Sequence, residues 1–169
     1  MEAGFRTKVV PWRRGASGKL TEYLFSARSH ENHVLLVTDS NGRNLVNPQV
    51  VRVPKKCKFD LSVVAIPGGR ISHGQKELLD GRHFEKLDFL ICALGSNNFS
   101  NNCQEHTIDI LEELESFTAA VQIIYPRVKI VFAKILAQTG RHSNCVGIVN
   151  AEIQKYAEKN KPPFSIFRI

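Results

Sequence analysis

His33-Val34-Leu35-Leu36-Val37-Thr38-Asp39-Ser40-Asn41 is a short apolar run that breaks abruptly into hydroxyl, carboxyl and amide side chains. Apolar residues without alternation suggest a strand buried on both faces, as in a parallel sheet. Three further runs share this texture, Leu61 to Ile66, Leu87 to Leu94 and Val128 to Leu136, and a fifth runs from Phe164 to Ile169. Between the third and fourth, Ile110, Leu114, Phe117, Val121 and Ile124 fall on one helical face that ends at Pro126. Between the fourth and fifth, Val146, Val149, Ile153 and Tyr156 mark a second face that ends at Pro162-Pro163. Shorter helical pieces are expected after Ser40 and Ser72. Strand followed by helix, repeated four times and closed by a fifth strand, predicts an α/β domain with a five-stranded, mostly parallel sheet and helices on both faces.

The 169 residues suit one domain, and 43% hydrophobic with 23% charged residues is an ordinary globular composition. No apolar stretch approaches the length of a membrane span and Met1 to Lys19 hold no apolar block long enough for a secretory signal, so no membrane partner is expected. The four cysteines, Cys57, Cys92, Cys103 and Cys145, form no C-x-x-C pair. Cys92 lies inside an apolar run and reads as a buried free thiol, so a reducing, intracellular and cytoplasmic setting is expected. Neither a metal-ligand spacing nor a phosphate-binding glycine motif occurs, and no metal or cofactor is expected. Residues 1–30 read as a basic, flexible N-terminal arm or an edge segment, and residues 31–169 as the domain.

In open parallel sheets ligands bind beyond the carboxyl ends of the strands. The residues there are Thr38-Asp39-Ser40-Asn41, Pro67-Gly68-Gly69-Arg70-Ile71-Ser72, Gly95-Ser96-Asn97-Asn98 and Ala137-Gln138-Thr139-Gly140-Arg141-His142. A serine at a strand-to-helix turn can serve as a nucleophile, because helix amides face the developing negative charge. A glycine in the next loop lets a backbone N–H approach closely, and an asparagine amide supplies another donor. The plain structural alternative for Ser40 is helix capping.

In this order, the three blocks resemble the SGNH (GDSL-type) hydrolase superfamily. Val34-Leu35-Leu36-Val37-Thr38-Asp39-Ser40 is similar to its strand ending in Gly-Asp-Ser. Val63-Val64-Ala65-Ile66-Pro67-Gly68-Gly69-Arg70-Ile71-Ser72 is similar to its strand ending near a key glycine, and Leu94-Gly95-Ser96-Asn97-Asn98 to its Gly-x-Asn-Asp block. The resemblance covers residues 33–169. It implies a three-layer, flavodoxin-like SGNH-hydrolase fold and a serine esterase acting on carboxylic esters. Ser40 would be the nucleophile, with Gly68 and Asn97 as oxyanion-hole donors. Two positions depart from the pattern: Thr38 replaces the first glycine, and Asn98 the final aspartate.

The resemblance also implies an Asp-x-x-His block after the last strand, and no such block occurs in the chain. The domain is therefore expected to be incomplete at its C-terminus. His73, His106 and His142, each after or near a strand-end loop, are the candidate replacement bases. The alternative is a non-catalytic SGNH-like module that binds RNA or another anionic partner. The chain has 23 Lys+Arg against 16 Asp+Glu, net +7. Arg13 and Arg14 in the arm, and Arg52, Lys55, Lys56 and Lys58 in one loop, are the candidate phosphate contacts. Sequence alone leaves the oligomeric state open.

Overall fold

The computed structural model describes residues 8–26, 31–46, 58–80, 84, 86–99, 103–136, 143–160 and 164–167. In chain order the elements are β1 (Lys8–Arg14), β2 (Leu20–Phe25), β3 (Asn32–Thr38), a 3-10 segment (Ser40–Val46), β4 (Phe59–Ala65), α1 (Ile71–Leu79), β5 (Phe89–Ala93), α2 (Cys103–Ile124), β6 (Lys129–Ala133), α3 (Ser143–Lys159) and β7 (Phe164–Phe167). They build one sheet in the order β1-β2-β4-β3-β5-β6-β7. The five expected strands are β3 to β7, all parallel. The sheet has seven strands rather than five, because β1 and β2 add an antiparallel hairpin along the β4 edge. Of the two readings of this segment, flexible arm or edge segment, Lys8–Phe25 takes the second and forms an edge of the sheet.

The register explains how the sheet is covered. Tyr23, Val64, Val37, Cys92 and Phe132 lie side by side across five strands, and all are buried in the main core. The neighbouring row, Leu24, Val63, Leu36, Ile91 and Val131, points to the opposite face because side chains alternate along a strand. The crossovers β4 to β5, β5 to β6 and β6 to β7 all step in one direction across the sheet, and β3 to β4 steps in the other. Right-handed connections therefore put α1, α2 and α3 on one face and the 3-10 segment on the other. Ile71 and Leu78 of α1, Phe117 of α2 and Val149 of α3 share the main core with the first row, as this requires. Helices on both faces thus become three α-helices on one face and, among the described residues, a single 3-10 segment on the other.

The hairpin is held by one buried carboxylate. Glu77 in α1 is 2% exposed and accepts hydrogen bonds from Ser17 Oγ (2.5 Å), Ser17 N–H (3.0 Å), Tyr23 Oη (2.5 Å) and Thr21 Oγ1 (3.3 Å). Burial pushes its pKa up, but the hydrogen bonds from Ser17, Tyr23 and Thr21 outweigh burial and hold it below the ordinary value of 4.5. Burial, together with the same carboxylate, raises the Tyr23 phenol. Charged acceptors with several donors are the form in which a buried carboxylate is tolerated.

Cys92 is free, and burial pushes its thiol up to about 12, opposed only by a backbone hydrogen bond, so it is an inert core residue. Cys145, buried at the start of α3, is disulfide-bonded. Cys92 is thus the free thiol the sequence suggests, whereas the bonded Cys145 does not fit the reducing setting inferred from it. Among the described residues, no helix is long and apolar enough to cross a membrane.

Because the folded pKa of Glu77 lies below its unfolded value, its contribution is complete above pH 4.5 and is lost as the pH falls through the depressed value. Glu77→Gln is expected to lower stability by about 2 kcal/mol near neutral pH. It should also flatten the acid limb of a urea-melt series below pH 4.5. An unchanged acid limb would show that the carboxylate does not hold the hairpin.

Candidate functional site

The parallel register brings the ends of β3, β4 and β5 together, since Thr38 lies beside both Ala65 and Ala93. The loops that follow meet around Asp39, which is 1% exposed. Asp39 Oδ1 accepts the Asn41 N–H at 2.8 Å, the short side-chain-to-backbone loop that starts the 3-10 segment. Asp39 Oδ2 accepts the hydroxyl of Ser96, from the loop after β5, and faces Asn97 Nδ2 at 3.4 Å. Asn97 Nδ2 also donates to the Gly69 carbonyl at 3.0 Å, in the loop after β4. One buried carboxylate and one amide thus tie three strand-end loops together.

Ser40 stands directly after Asp39, at the first position of the 3-10 segment, and is exposed. The capping role that sequence leaves open for Ser40 is performed by Asp39, and the Ser40 hydroxyl makes no hydrogen bond to a described residue. Thr38, in place of the expected glycine, is buried at 2% exposure. It fits because position 42 is glycine: a Cβ on Gly42 would overlap the Thr38 side chain.

The other candidates fall into two groups. Asn97 joins the Asp39 cluster. One of its amide hydrogens is well used by Gly69, and the other faces Asp39 and Ser96 only at 3.4 Å, long for a hydrogen bond. Gly68 occupies the third position of a tight turn, with φ of 64° and Gly69 N–H donating to the Ile66 carbonyl at 2.7 Å. Its α-carbon faces the hairpin, where a Cβ would meet Lys19 Nζ at 3.9 Å, whereas Gly69 touches Asn97. Gly69, Asp39 and Ser96 stand in the strand-end loops, and Asp39 in the block similar to Gly-Asp-Ser, but the sequence points to no role for any of the three.

His73 sits in the first turn of α1, where its Nδ1 accepts the Arg70 N–H at 2.9 Å. Burial lowers its pKa, as do Lys19, Lys76 and Arg70, with Glu113 opposing, so the imidazole is neutral at neutral pH and carries its proton on Nε2. Its acceptor nitrogen is occupied by the cap. The side chain of His106 and all of His142 lie outside the described residues.

Asn98, where a carboxylate was expected, accepts the Ile71 N–H at 3.2 Å, and Glu113 accepts the Ser72 N–H at 2.8 Å. The start of α1 is therefore satisfied internally rather than open to an anion. Of the candidate cationic residues, Arg13, Arg14 and Lys58 are exposed, with Arg13 lying 4.8 Å over the Tyr23 ring. Arg52, Lys55 and Lys56 lie outside the described residues. No metal-binding group of three His, Cys, Asp or Glu occurs among the described residues.

No family model and no curated protein matches the sequence. Solved structures do match its fold. A GDSL-like lipase from Bacteroides thetaiotaomicron superposes with a TM-score of 0.58 at 16% identity, covering 80% of this chain and 68% of the lipase. A carbohydrate esterase of family 3 from Talaromyces cellulolyticus gives 0.56 at 16% identity, covering 80% and 77%. A psychrotrophic esterase from Pseudoalteromonas gives 0.53 at 12% identity, covering 81% and 78%. A further structure, from Streptococcus pneumonia, is spanned over 66% of its length, with a TM-score of 0.56 at 15% identity. The chain has an SGNH-hydrolase-like fold.

The fit of Thr38 against Gly42 makes a specific prediction. Gly42→Ala is expected to lower stability by about 1–3 kcal/mol through overpacking, and Thr38→Gly in the same chain to recover most of that loss. A double-mutant cycle by thermal melts checks this, and additive losses would refute the coupling.

Proposed function

We propose that the domain is an acyl-ester hydrolase with Ser40 as nucleophile, its reaction held at the carboxyl ends of β3 and β5. The reading rests on one observation: the buried Asp39, with its bonds to Asn41, Ser96 and Asn97, fixes the loops around an exposed Ser40 hydroxyl that has no described partner. The fold likeness to lipases and esterases supports it at the level of architecture.

In the first step Ser40 Oγ bonds to the acyl carbon, and the hydroxyl proton passes to a base. The alcohol then leaves with a proton, and water releases the acid from the acyl-enzyme. The carbonyl oxygen, negative in the transition state, would take the loosely used second hydrogen of Asn97 Nδ2. Exchanging interactions at 3.4 Å for a charge-assisted bond favours that step. His73 is not assigned the base, since its Nδ1 already accepts a backbone N–H. That leaves the base to a group outside the described residues, among which His106 and His142 are the sequence candidates.

The test is hydrolysis of p-nitrophenyl butyrate by the chain and by Ser40→Ala, with and without added imidazole. A general base contributes about 10²- to 10⁴-fold, so the unassisted rate is expected to be low and imidazole to raise it. After subtraction of the protein-free rates, which imidazole itself raises, Ser40→Ala should show neither contribution. Equal rates for the two proteins would overturn the assignment.

A second reading, an anionic partner such as RNA, is favoured by a separate observation. Lys19, Arg70 and Lys76 act together on His73, and Glu113 is the acidic group that opposes them. None of the three cations pairs with a described carboxylate. Binding of a single-stranded RNA should weaken with salt. Lys19→Glu with Arg70→Glu should flatten the log–log salt slope by about 0.7 for each phosphate that is no longer neutralised. Salt-independent binding, or an unchanged slope, would exclude this surface.

A further inference from the structure

Beside Ser40, on the sheet face where no α-helix packs among the described residues, lies a cavity of about 300 Å³. Its floor is Leu36, Ile91, Ala93 and Ala133, from three adjacent strands, and Ile135 and Leu136 form one wall. The hollow has a sequence cause. The row of side chains nearest the carboxyl ends of these strands includes Ala93 and Ala133, whereas the row below has Leu36, Ile91 and Val131. Short side chains above long ones leave a depression, and Gly42 on the opposite wall adds no side chain to fill it. Leu136, 53% exposed, stands at the mouth.

The polar residues of the lining are Thr38, Asp39 and Asn41 at the end of β3, Ser96 after β5 and half-buried Lys134 after β6. Asp39 and Ser96 are already hydrogen-bonded to each other. Lys134 has no ion pair with a described residue. Ser40 lies between two lining residues, Asp39 and Asn41. A lining mostly of aliphatic side chains, with one lysine that has no ion pair with a described residue, is the chemistry of an acyl chain with its carboxyl group. A sugar ring would leave its hydroxyls unpaired against Leu36, Ile91 and Ile135.

We infer that this cavity binds the hydrocarbon chain of a short- to medium-chain acyl group, with Lys134 pairing the carboxylate of the free acid. This rests on the hydrolase reading for its place in a reaction, and narrows the substrate from carboxylic esters in general to acyl esters with an apolar chain. Binding itself is independent of turnover.

Titration of the full chain with octanoate and with acetate, followed by calorimetry, tests it. Octanoate is expected to bind at least tenfold more tightly than acetate, in the wild type and in Ser40→Ala alike. Ala133→Leu, which fills the floor, should weaken octanoate at least tenfold. Leu136→Asp, at an exposed position that does not endanger folding, should do the same. Lys134→Gln should weaken octanoate and leave octanol unchanged. Equal affinity for octanoate and acetate, or octanoate binding indifferent to both Ala133→Leu and Leu136→Asp, would overturn the inference. Octanoate binding that persists while Ser40→Ala and wild type hydrolyse esters equally would overturn the hydrolase reading and leave the cavity assignment standing.

Discussion

The carboxylate of Asp39 is the interaction on which the carboxyl end of the sheet depends. At 1% exposure it is tolerable only because donors meet both of its oxygens: the Asn41 N–H on one, Ser96 and Asn97 on the other. Those donors come from the loop after β3 and the loop after β5, and Asn97 extends the network to the Gly69 carbonyl after β4. Three strand ends are thereby held in one arrangement. The neighbouring Ser40, whose hydroxyl takes no part, is left at the surface with its position set by a residue that does not face solvent.

A second buried carboxylate does the corresponding work at the sheet edge. Glu77 collects donors from the hairpin turn and from Tyr23, and so joins α1 to strands that also meet the sheet through the β2–β4 pairing and the core through Tyr23. Docking of the hairpin also has an electrostatic consequence. It carries Lys19 to the start of α1, beside Gly68 and within the field of His73. The positive character of that corner is thus a product of the same contact that completes the sheet.

Among the described residues the two faces of the sheet are covered unequally, and the connection order is the reason. Three crossovers in one direction put α1, α2 and α3 on one side, and the single crossover in the other direction, β3 to β4, carries only the 3-10 segment Ser40–Val46 among the described residues. The thinly covered face is where Ala93 and Ala133 leave a hollow next to Ser40. A full helix there, packing on Leu36 and Ile91, would close the space that the 3-10 segment leaves open.

The parallel strands are legible from the sequence by itself, because a strand buried on both faces writes an unbroken apolar run: Val34 to Val37, Leu61 to Ile66 and Leu87 to Leu94 each contain one. The faces of α2 and α3 are legible for the same reason, and Ile110, Phe117 and Val149 are buried as their spacing requires. Ser40 at a strand end is legible because its position follows from chain order alone. The hairpin is not, since β1 and β2 carry basic residues and Pro11, and their anchor Glu77 lies 60 residues from Ser17. The Asp39 network, the cap made by His73 and the fit of Thr38 against Gly42 are likewise decided only by the tertiary structure. Local periodicity records which residues must leave water, but the pairing of a buried polar group depends on which distant donors the fold delivers to it.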